Sequence, residues 1–231
     1  MKNILGIDGS KSGWVGVKQS SKQEGTLEIL FNNKLIDFLS PDIDLIIIDM
    51  PVGLDRNIQQ GGRLVDKEAR KRLLKRKSSI FNAPVRDVLK AKSYNEANTI
   101  SKNKGLGISK QSWNLVPKIN ELDQILQIKI RPQIYESHPE LCFQIMNDGA
   151  LKFSKKDKLG IKERKNILIK NGFDKKFLDN NLKKNKNFHS DDFLDACALS
   201  WTAKRIMNEQ NINLPEDPEK DELGIIMQMK V

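Results

Sequence analysis

Four aspartates occupy positions in the sequence that suit carboxylate chemistry. The first apolar run of the chain ends at Asp8, and the run Leu45-Ile-Ile-Ile48 ends at Asp49. Both runs predict buried strands, because turn residues follow soon after each acid. Asp192 and Asp195 open an apolar, small-residue stretch, and their spacing of three places both on one face of a helix. A single acid at a turn also caps hairpins, so it is the grouping that favours a functional interpretation.

Together these carboxylates favour divalent-metal chemistry. Hard oxygen ligands select Mg²⁺ or Mn²⁺ over Zn²⁺. Two such ions about 4 Å apart activate water and stabilise the leaving oxygen in phosphodiester hydrolysis. Two acids on one face beside an apolar helix body are costly unless a cation neutralises them. We therefore predict Asp8, Asp49, Asp192 and Asp195 as metal ligands and catalytic residues, with Mg²⁺ or Mn²⁺ as the cofactor.

The elements that must position these acids are those of a mixed α/β fold. Residues 1–39 predict three strands joined by short turns and then a short helix, and a fully buried strand ends at Asp49. If the strands that carry Asp8 and Asp49 are parallel neighbours, the two acids meet at the carboxyl edge of the sheet, where open α/β sheets bind ligands. Residues 55–130 predict a mostly helical insertion that forms a substrate wall or lid.

A third strand-end acid, Glu136, follows a short apolar pair and joins the predicted catalytic set. His138 and Glu140 come next, in the loop beyond it. A histidine beside two carboxylates suits acid–base work or phosphate contact, although a lone histidine is more often structural. These residues therefore extend the predicted site beyond the metal ligands.

A surplus of positive charge indicates a polyanionic partner. The 231 residues include 40 Lys and Arg against 30 Asp and Glu, a formal net charge of +10. Nucleic acid is the simplest partner of this kind. Residues 63–77 predict a helix with a wide cationic face that includes Arg70 and Arg76, which suits a phosphate backbone. A solvated lysine-rich surface is the competing interpretation.

Chain length and cysteine content indicate the domain organisation and the cellular compartment. The length suits a single domain with an insertion, which we assign to residues 1–210, with residues 211–231 as a peripheral tail. Cys142 and Cys197 lie in apolar runs without metal-ligand spacing, so we predict that they pack as small hydrophobic side chains, which fits a reducing cytosol. No apolar run has the length of a membrane span or a signal peptide. We predict a cytoplasmic protein without membrane contact, whose oligomeric state is open, a dimer included.

The order of the acids resembles the ribonuclease-H-like superfamily. That order is an acid on the first strand, a three-strand meander, an acid on the fourth strand and an acidic pair that opens the last helix. Asp192-x-x-Asp195-Ala-Cys-Ala resembles the final helix of the Holliday-junction resolvases in that superfamily. The resemblance implies a mixed five-stranded sheet with flanking helices, and the activity of a metal-dependent nuclease.

Six blocks, spread over most of residues 4–203, are more closely similar to domain-of-unknown-function family 429, which is described as predicted ribonuclease-H-like nucleases. The blocks are Gly6-Ile-Asp-Gly-Ser-Lys-Ser-Gly-Trp14, Ile48-Asp-Met-Pro-Val-Gly-Leu54, Asp66-Lys-Glu-Ala-Arg70, Ser78-Ser-Ile-Phe-Asn-Ala-Pro-Val-Arg86, Glu136-Ser-His-Pro-Glu140 and Asp192-Phe-Leu-Asp-Ala196. This resemblance implies metal ligands at the same four aspartates. It also implies a site wall, with contacts to substrate, that consists of Glu136, Arg70, Ser78, Arg86, His138 and Glu140.

Two other functions stay open. The turn Asp8-Gly-Ser-Lys-Ser12 is similar to the first phosphate loop of actin-like proteins and sugar kinases. Those proteins need a second Asp-x-Gly loop and a late Gly-Gly motif, and neither is evident in the sequence. A non-catalytic nucleic-acid-binding module is the other alternative, and uncompensated acids beside a phosphate argue against it. Cleavage of nucleic acid, hydrolysis of ATP, or binding alone would separate the three functions.

Overall fold

The computed structural model describes residues 3–20, 26–128, 132–183 and 185–231. The strands are β1 (Asn3–Ser10), β2 (Gly13–Ser20), β3 (Leu27–Asn32), β4 (Ile43–Ile48), β5 (Gln133–Glu136), β6 (Asn213–Lys220) and β7 (Ile226–Lys230). The helices are α1 (Leu64–Arg72), α2 (Tyr94–Asn103), α3 (Lys110–Leu126), α4 (Pro139–Met146), α5 (Lys158–Lys170), α6 (Lys175–Asn181) and α7 (Ser190–Met207). Short 3₁₀ turns lie at Leu35–Phe38, Lys77–Ser79 and Arg86–Lys90.

The strands form one mixed sheet in the order β3-β2-β1-β4-β5-β7-β6. The central strands β1, β4, β5 and β7 run parallel to one another. The outer strands β2, β3 and β6 are antiparallel to their neighbours. The predicted α/β class is therefore confirmed, and so is the meander of the first three strands, but the described sheet has seven strands where the sequence predicts five.

The two additional strands come from the C-terminus. Residues 211–231, predicted to be a peripheral tail, contribute β6 and β7, and β7 pairs with β5 at Glu136 and Met229. The sequence does not predict β6, because this segment contains Pro215 and Pro218. Proline donates no ladder hydrogen bond and so argues against a strand. β6 is the outermost strand of the sheet, the one position where proline is tolerated. This segment is thus part of the sheet.

Helices cover both faces of this sheet. Ile4 of β1 packs with residues of α4, α5 and α7 on one face. Leu5 packs on the other face with Leu122 of α3. The alternation of side chains along a strand therefore sends neighbouring residues of β1 into two separate cores. The predicted insertion at 55–130 carries α1 to α3 between β4 and β5, and residues 129–131 lie outside the described part.

Two expectations from composition concern the cysteines and the membrane. Cys142 and Cys197 are both free and fully buried, as predicted for cysteines that pack as small hydrophobic side chains. Over the described residues, no helix is both long enough and apolar enough to span a membrane.

Gly6 allows α7 to lie directly on β1. A Cβ atom built on Gly6 would lie 2.1 Å from the backbone nitrogen of Ser200 and 2.4 Å from the carbonyl oxygen of Ala196. Only a residue without a Cβ atom fits such a contact between backbones. Asp8 follows Gly6 by two residues on the same face of β1, and Asp195 precedes Ala196 on α7. Gly6 therefore sets the approach of two predicted metal ligands.

Replacing Gly6 by alanine is expected to lower the free energy of unfolding by about 2–4 kcal/mol, because the added methyl group meets backbone that has no room to move. Thermal or urea unfolding measures this change. The matched control is Gly9→Ala in the same strand, where the new Cβ atom would lie 3.1 Å from the flexible side chain of Lys118. An equal loss in both variants would contradict the role of Gly6 in helix packing.

Helix α1 is shorter than the helix predicted over residues 63–77. It ends at Arg72, and Leu73 adopts an extended conformation. Gln144 of α4 holds this end, since its side-chain amide donates to the Arg72 carbonyl (3.1 Å) and accepts from the Leu74 N–H (2.8 Å). A tertiary contact thus replaces the next hydrogen bonds of the helix. The cations that follow Arg72 therefore lie on a loop.

Candidate active site

Asp8 and Asp49 lie at adjacent positions on two parallel strands. β1 and β4 pair in a register that sets Ile7 opposite Ile48, and the Asp49 N–H donates to the Ile7 carbonyl at 3.2 Å. β1 continues to Ser10, so Asp8 lies within the strand and not at its end. Asp8 is 7% exposed, and the Asp49 side chain is 31% exposed. The sheet register alone thus brings these two carboxylates together.

Helix α7 brings the third carboxylate, Asp195, to this edge. Asp195 is 1% exposed; its Oδ2 accepts from the Lys155 ammonium at 2.6 Å, and its Oδ1 has no hydrogen-bond partner in the described structure. Asp192 lies one turn earlier, where its Oδ2 accepts from the His189 N–H at 2.9 Å and so helps to cap the helix. Asp195 is therefore the buried acid of the pair, and Asp192 lies nearer the surface.

The pKa values show how strongly these carboxylates interact. Burial, followed by the charges of Asp49 and Asp195, raises the pKa of Asp8 well above its usual range. Burial raises the pKa of Asp195 to about 6, although Lys155 opposes this rise. Burial also raises the pKa of Asp192. Ionising these carboxylates together is therefore unfavourable unless a cation joins them, as expected of a cation site before its ion binds.

The donor set suits a hard divalent cation, although the ligands do not yet converge. Carboxylate oxygens are the ligands that Mg²⁺ and Mn²⁺ prefer. The unpartnered Oδ1 of Asp195 is a buried oxygen that a metal ion would satisfy. No group of three or more His, Cys, Asp or Glu side chains among the described residues is already placed to hold one ion. Metal binding would thus require the side chains around Lys155 to reorient.

These acids line a cavity of about 350 Å³, which we call the acidic cavity. The charged and histidine side chains of its wall are Asp8, Asp49, Asp66, Asp192, Asp195, Glu136, Glu140, His138, Arg63, Arg76 and Lys155. Apolar side chains, among them Phe81 and Leu115, form part of the same wall. The cavity thus combines ionic groups with surfaces on which a flat ring can pack.

His138 lies between a carboxylate and a hydroxyl in the acidic cavity. Its Nδ1 is 3.4 Å from Asp49 Oδ1, and its Nε2 is 2.8 Å from Ser79 Oγ. Burial alone would lower the pKa of His138, but the hydrogen bond and the charge of Asp49 outweigh burial and raise it. His138 is thus oriented on both ring nitrogens, as an acid–base residue requires.

Glu136, predicted to be catalytic, is engaged in a buried ion pair. Arg63 donates from Nη2 to Glu136 Oε1 (2.8 Å) and from Nη1 to Oε2 (3.1 Å), and the Val52 N–H also donates to Oε2 (2.8 Å). Arg63 is 2% exposed and also pairs with Asp66 at 2.7 Å. Glu136 therefore has partners on both oxygens and supports the wall of the cavity.

Four of the other predicted substrate-binding residues line one of two cavities. Arg76 and Glu140 line the acidic cavity, but Glu140 pairs with the buried Arg164 as well as with Arg76. Arg70 and Ser78 line a separate cavity of about 490 Å³, where Arg70 Nε donates to the Ile80 carbonyl.

Arg86 lines neither cavity. It pairs with Asp123 at 2.9 Å and with Asp221 at 2.5 Å. These contacts join the segment before α2 to α3 and to the turn between β6 and β7, so Arg86 holds elements together at a distance from the acids.

Three residues of the site do not stand out in the sequence. Lys155 belongs to a lysine-rich loop, Arg63 precedes a helix full of cations, and Ser79 is the neighbour of the predicted Ser78. The acidic cavity contains Ser79, whereas Ser78 faces the other cavity. The double serine of the motif was the only signal for Ser79, and none marked Lys155 among its neighbours.

Comparison with known proteins gives a family and no activity. The model of a family described as "Protein of unknown function (DUF429)" matches residues 6–220. No curated protein and no solved structure matches the chain. The matched range includes the four predicted metal ligands as well as Lys155, His138 and β6.

Proposed function

The chain belongs to DUF429, a family of unknown function, and from its site we propose that it is a metal-dependent phosphodiester hydrolase that acts on nucleic acid. In this proposal the sheet is of the ribonuclease-H-like type, extended by the C-terminal hairpin of β6 and β7. The cofactor is Mg²⁺ or Mn²⁺.

One observation carries the proposal. Three carboxylates from separate elements, Asp8 of β1, Asp49 after β4 and Asp195 of α7, face one cavity, and among the residues that the structure describes none donates a hydrogen bond to the buried Asp195 Oδ1. A protein gains no stability from buried like charges unless a cation neutralises them. A divalent ion would explain both why these acids line one cavity and why Asp195 Oδ1 is left for a ligand.

Asp8, Asp49 and Asp195 would hold the metal, with Asp192 at the rim of the cavity. A bound divalent ion supplies Lewis-acid stabilisation of phosphoryl oxygens and lowers the pKa of water. The acids contribute by fixing where that charge sits, since β1, β4 and α7 are buried elements of the core. His138, oriented by Asp49 and Ser79, holds or moves a proton at Nε2.

Nucleic acid fits the remaining surfaces of the cavity. Arg76 and Lys155 line it and can contact phosphate oxygens, and the exposed Lys75 and Lys77 flank Arg76 in the chain. Phe81 provides an aromatic wall on which a base can stack. The net charge of +10 supports attraction to a polyanion over a longer range.

A panel of substrates tests the proposal. Purified protein would be incubated with single-stranded, duplex, hybrid and branched nucleic acids in Mg²⁺, in Mn²⁺ and in EDTA. We expect cleavage of at least one substrate, abolished by EDTA and by Asp195→Asn. The matched control is Asp191→Asn, which changes a carboxylate in the first turn of α7 that does not line the cavity.

The same panel, with ATP included as a substrate, separates the alternatives. Hydrolysis of ATP without cleavage of any nucleic acid would favour the actin-like or sugar-kinase function. Binding of nucleic acid with neither activity, unchanged by Asp195→Asn, would favour a binding module. Either result would contradict the proposed hydrolase.

A second candidate function rests on Ser79, His138 and Asp49. Their order and distances suit a nucleophile, a base and an orienting acid, which together hydrolyse esters without a metal. The Ile80 N–H, which follows the nucleophile, already donates to the Lys77 carbonyl at 3.3 Å and so is not free to stabilise an oxyanion. This function therefore ranks second. Activity that survives EDTA and is lost in Ser79→Ala would favour it.

A further inference from the structure

Lys155 reaches the acidic cavity from a loop that the fold holds in place. Glu163 of α5 accepts from the N–H groups of Lys152 (2.9 Å) and Phe153 (3.0 Å). A Cβ atom built on Gly160 would lie 1.7 Å from the Ser154 carbonyl oxygen, so this loop rests directly on α5. The backbone that carries Lys155 is therefore fixed on both sides by its neighbours.

The loop receives further support from the cavity wall itself. Arg76 donates to the carbonyls of Leu151 (3.3 Å) and Phe153 (2.5 Å), and Arg164 also donates to Phe153 (3.3 Å). Both arginines pair with Glu140, whose side chain is 9% exposed. Glu140 and its two arginines thus position the loop, while the adjacent Lys156 remains exposed.

The ammonium of Lys155 occupies one side of the buried acid. It lies 2.6 Å from Asp195 Oδ2, whereas Asp195 Oδ1, on the other side, has no partner in the described structure. One oxygen of this carboxylate is therefore paired with a cation that the chain itself provides, and the other is available to a metal ion. Around the lysine, no three described acid, histidine or cysteine side chains converge on an ion.

We propose that Lys155 permanently fills one of the two cation positions of the acidic cavity, so that the site binds a single divalent ion through Asp195 Oδ1 and the neighbouring carboxylates. This inference rests on the proposed hydrolase function and replaces the pair of ions that the sequence predicts. Lys155 supplies to the phosphodiester the positive charge that a second ion would supply.

Calorimetric titration of the substrate-free 231-residue chain with Mn²⁺ tests this inference. The wild type is expected to bind one ion, and Lys155→Met, which opens Asp195 Oδ2, is expected to bind two. Lys155→Arg keeps the charge and is expected to bind one. Lys156→Met changes the exposed neighbour in the same loop and is also expected to leave the stoichiometry at one.

Thermal unfolding provides a second readout that needs no activity. In EDTA, Lys155→Met is expected to melt at a lower temperature than the wild type, because Asp195 loses its partner. Saturating Mn²⁺ is expected to remove this difference. A persistent difference in Mn²⁺ would show a packing defect and contradict the shared cation position.

The outcomes distinguish this inference from the function on which it rests. Two ions in the wild type, or one ion in both the wild type and Lys155→Met, would overturn the role of Lys155 and leave a metal-dependent hydrolase intact. No Mn²⁺ binding by any variant would overturn both. Cleavage that needs metal, together with one ion in the wild type and two in Lys155→Met, would support both.

Discussion

Asp8→Asn is expected to abolish cleavage of nucleic acid and at the same time to stabilise the protein. Activity should fall on the order of 10³-fold, because a catalytic ion supplies several kcal/mol and each 1.4 kcal/mol is tenfold in rate. In the absence of metal, the free energy of unfolding should rise by about 0.5–2 kcal/mol, the usual range of a stabilising substitution. A residue kept only for stability would not give opposite effects on activity and stability.

The stabilisation should depend on pH with a defined sign. Burial and the charges of Asp49 and Asp195 raise the pKa of Asp8 in the folded protein. Below about pH 4, where carboxyl groups are protonated in both the folded and unfolded states, this aspartate costs nothing. As the pH rises from about 4 towards the raised pKa, the unfolded chain ionises this acid while the folded protein keeps it protonated, so stability is lost across that range. The difference between Asp8→Asn and the wild type should therefore grow from low to neutral pH.

Chemical unfolding of both proteins in EDTA between pH 4 and 8 measures this difference, and cleavage at pH 7.5 measures the activity. Asp37→Asn is the matched control, since Asp37 is exposed and does not line the acidic cavity. A difference that shrinks as the pH rises, or an Asp8→Asn protein that keeps metal-dependent cleavage, would contradict the assignment of Asp8 to a cation site.

Arg63→Met is expected to cause the largest loss of stability among single substitutions of the site. It would leave Asp66 and Glu136 buried without their cation, and breaking a buried ion pair from one side costs about 3–5 kcal/mol. For a chain of this length, the melting temperature should fall by roughly 10 °C. Differential scanning calorimetry measures this change.

The control for Arg63→Met is Arg72→Met, at the other end of α1, where the arginine is exposed. It should lie within about 0.5 kcal/mol of the wild type, as surface substitutions usually do. Adding Glu136→Gln to Arg63→Met should recover part of the loss, because one of the two uncompensated charges disappears. Strictly additive losses would indicate that Arg63 acts through packing alone.

Glu136→Gln alone distinguishes a structural role of Glu136 in the cavity wall from a catalytic role. Because both of its oxygens have partners, Glu136→Gln is expected to lower stability while folded molecules keep their metal-dependent cleavage. The sequence pattern placed Glu136 with the catalytic acids, since it also ends a strand. A pattern of types and spacing does not reveal that an arginine from another element already occupies the carboxylate.

Much of the sheet could be predicted because its signals are local. The apolar runs before Asp8 and Asp49 predict buried strands, and the parallel register of β1 and β4 places these acids side by side. The seven-stranded sheet was not predicted, because the evidence for its edge strand is not local. β6 contains Pro215 and Pro218, and only its place at the edge of the sheet makes them acceptable.

What the sequence determined by itself is the set of acids, the α/β class and the excess of positive charge. Those follow from residue types and from periodicity along the chain, which are read without knowing what lies nearby in space. The tertiary structure decided which groups meet the acids: Arg63 on Glu136, His138 on Asp49, and Lys155 on Asp195. Such pairings join residues that are distant in the chain, and one lysine among many becomes special only when the fold carries it to a buried carboxylate.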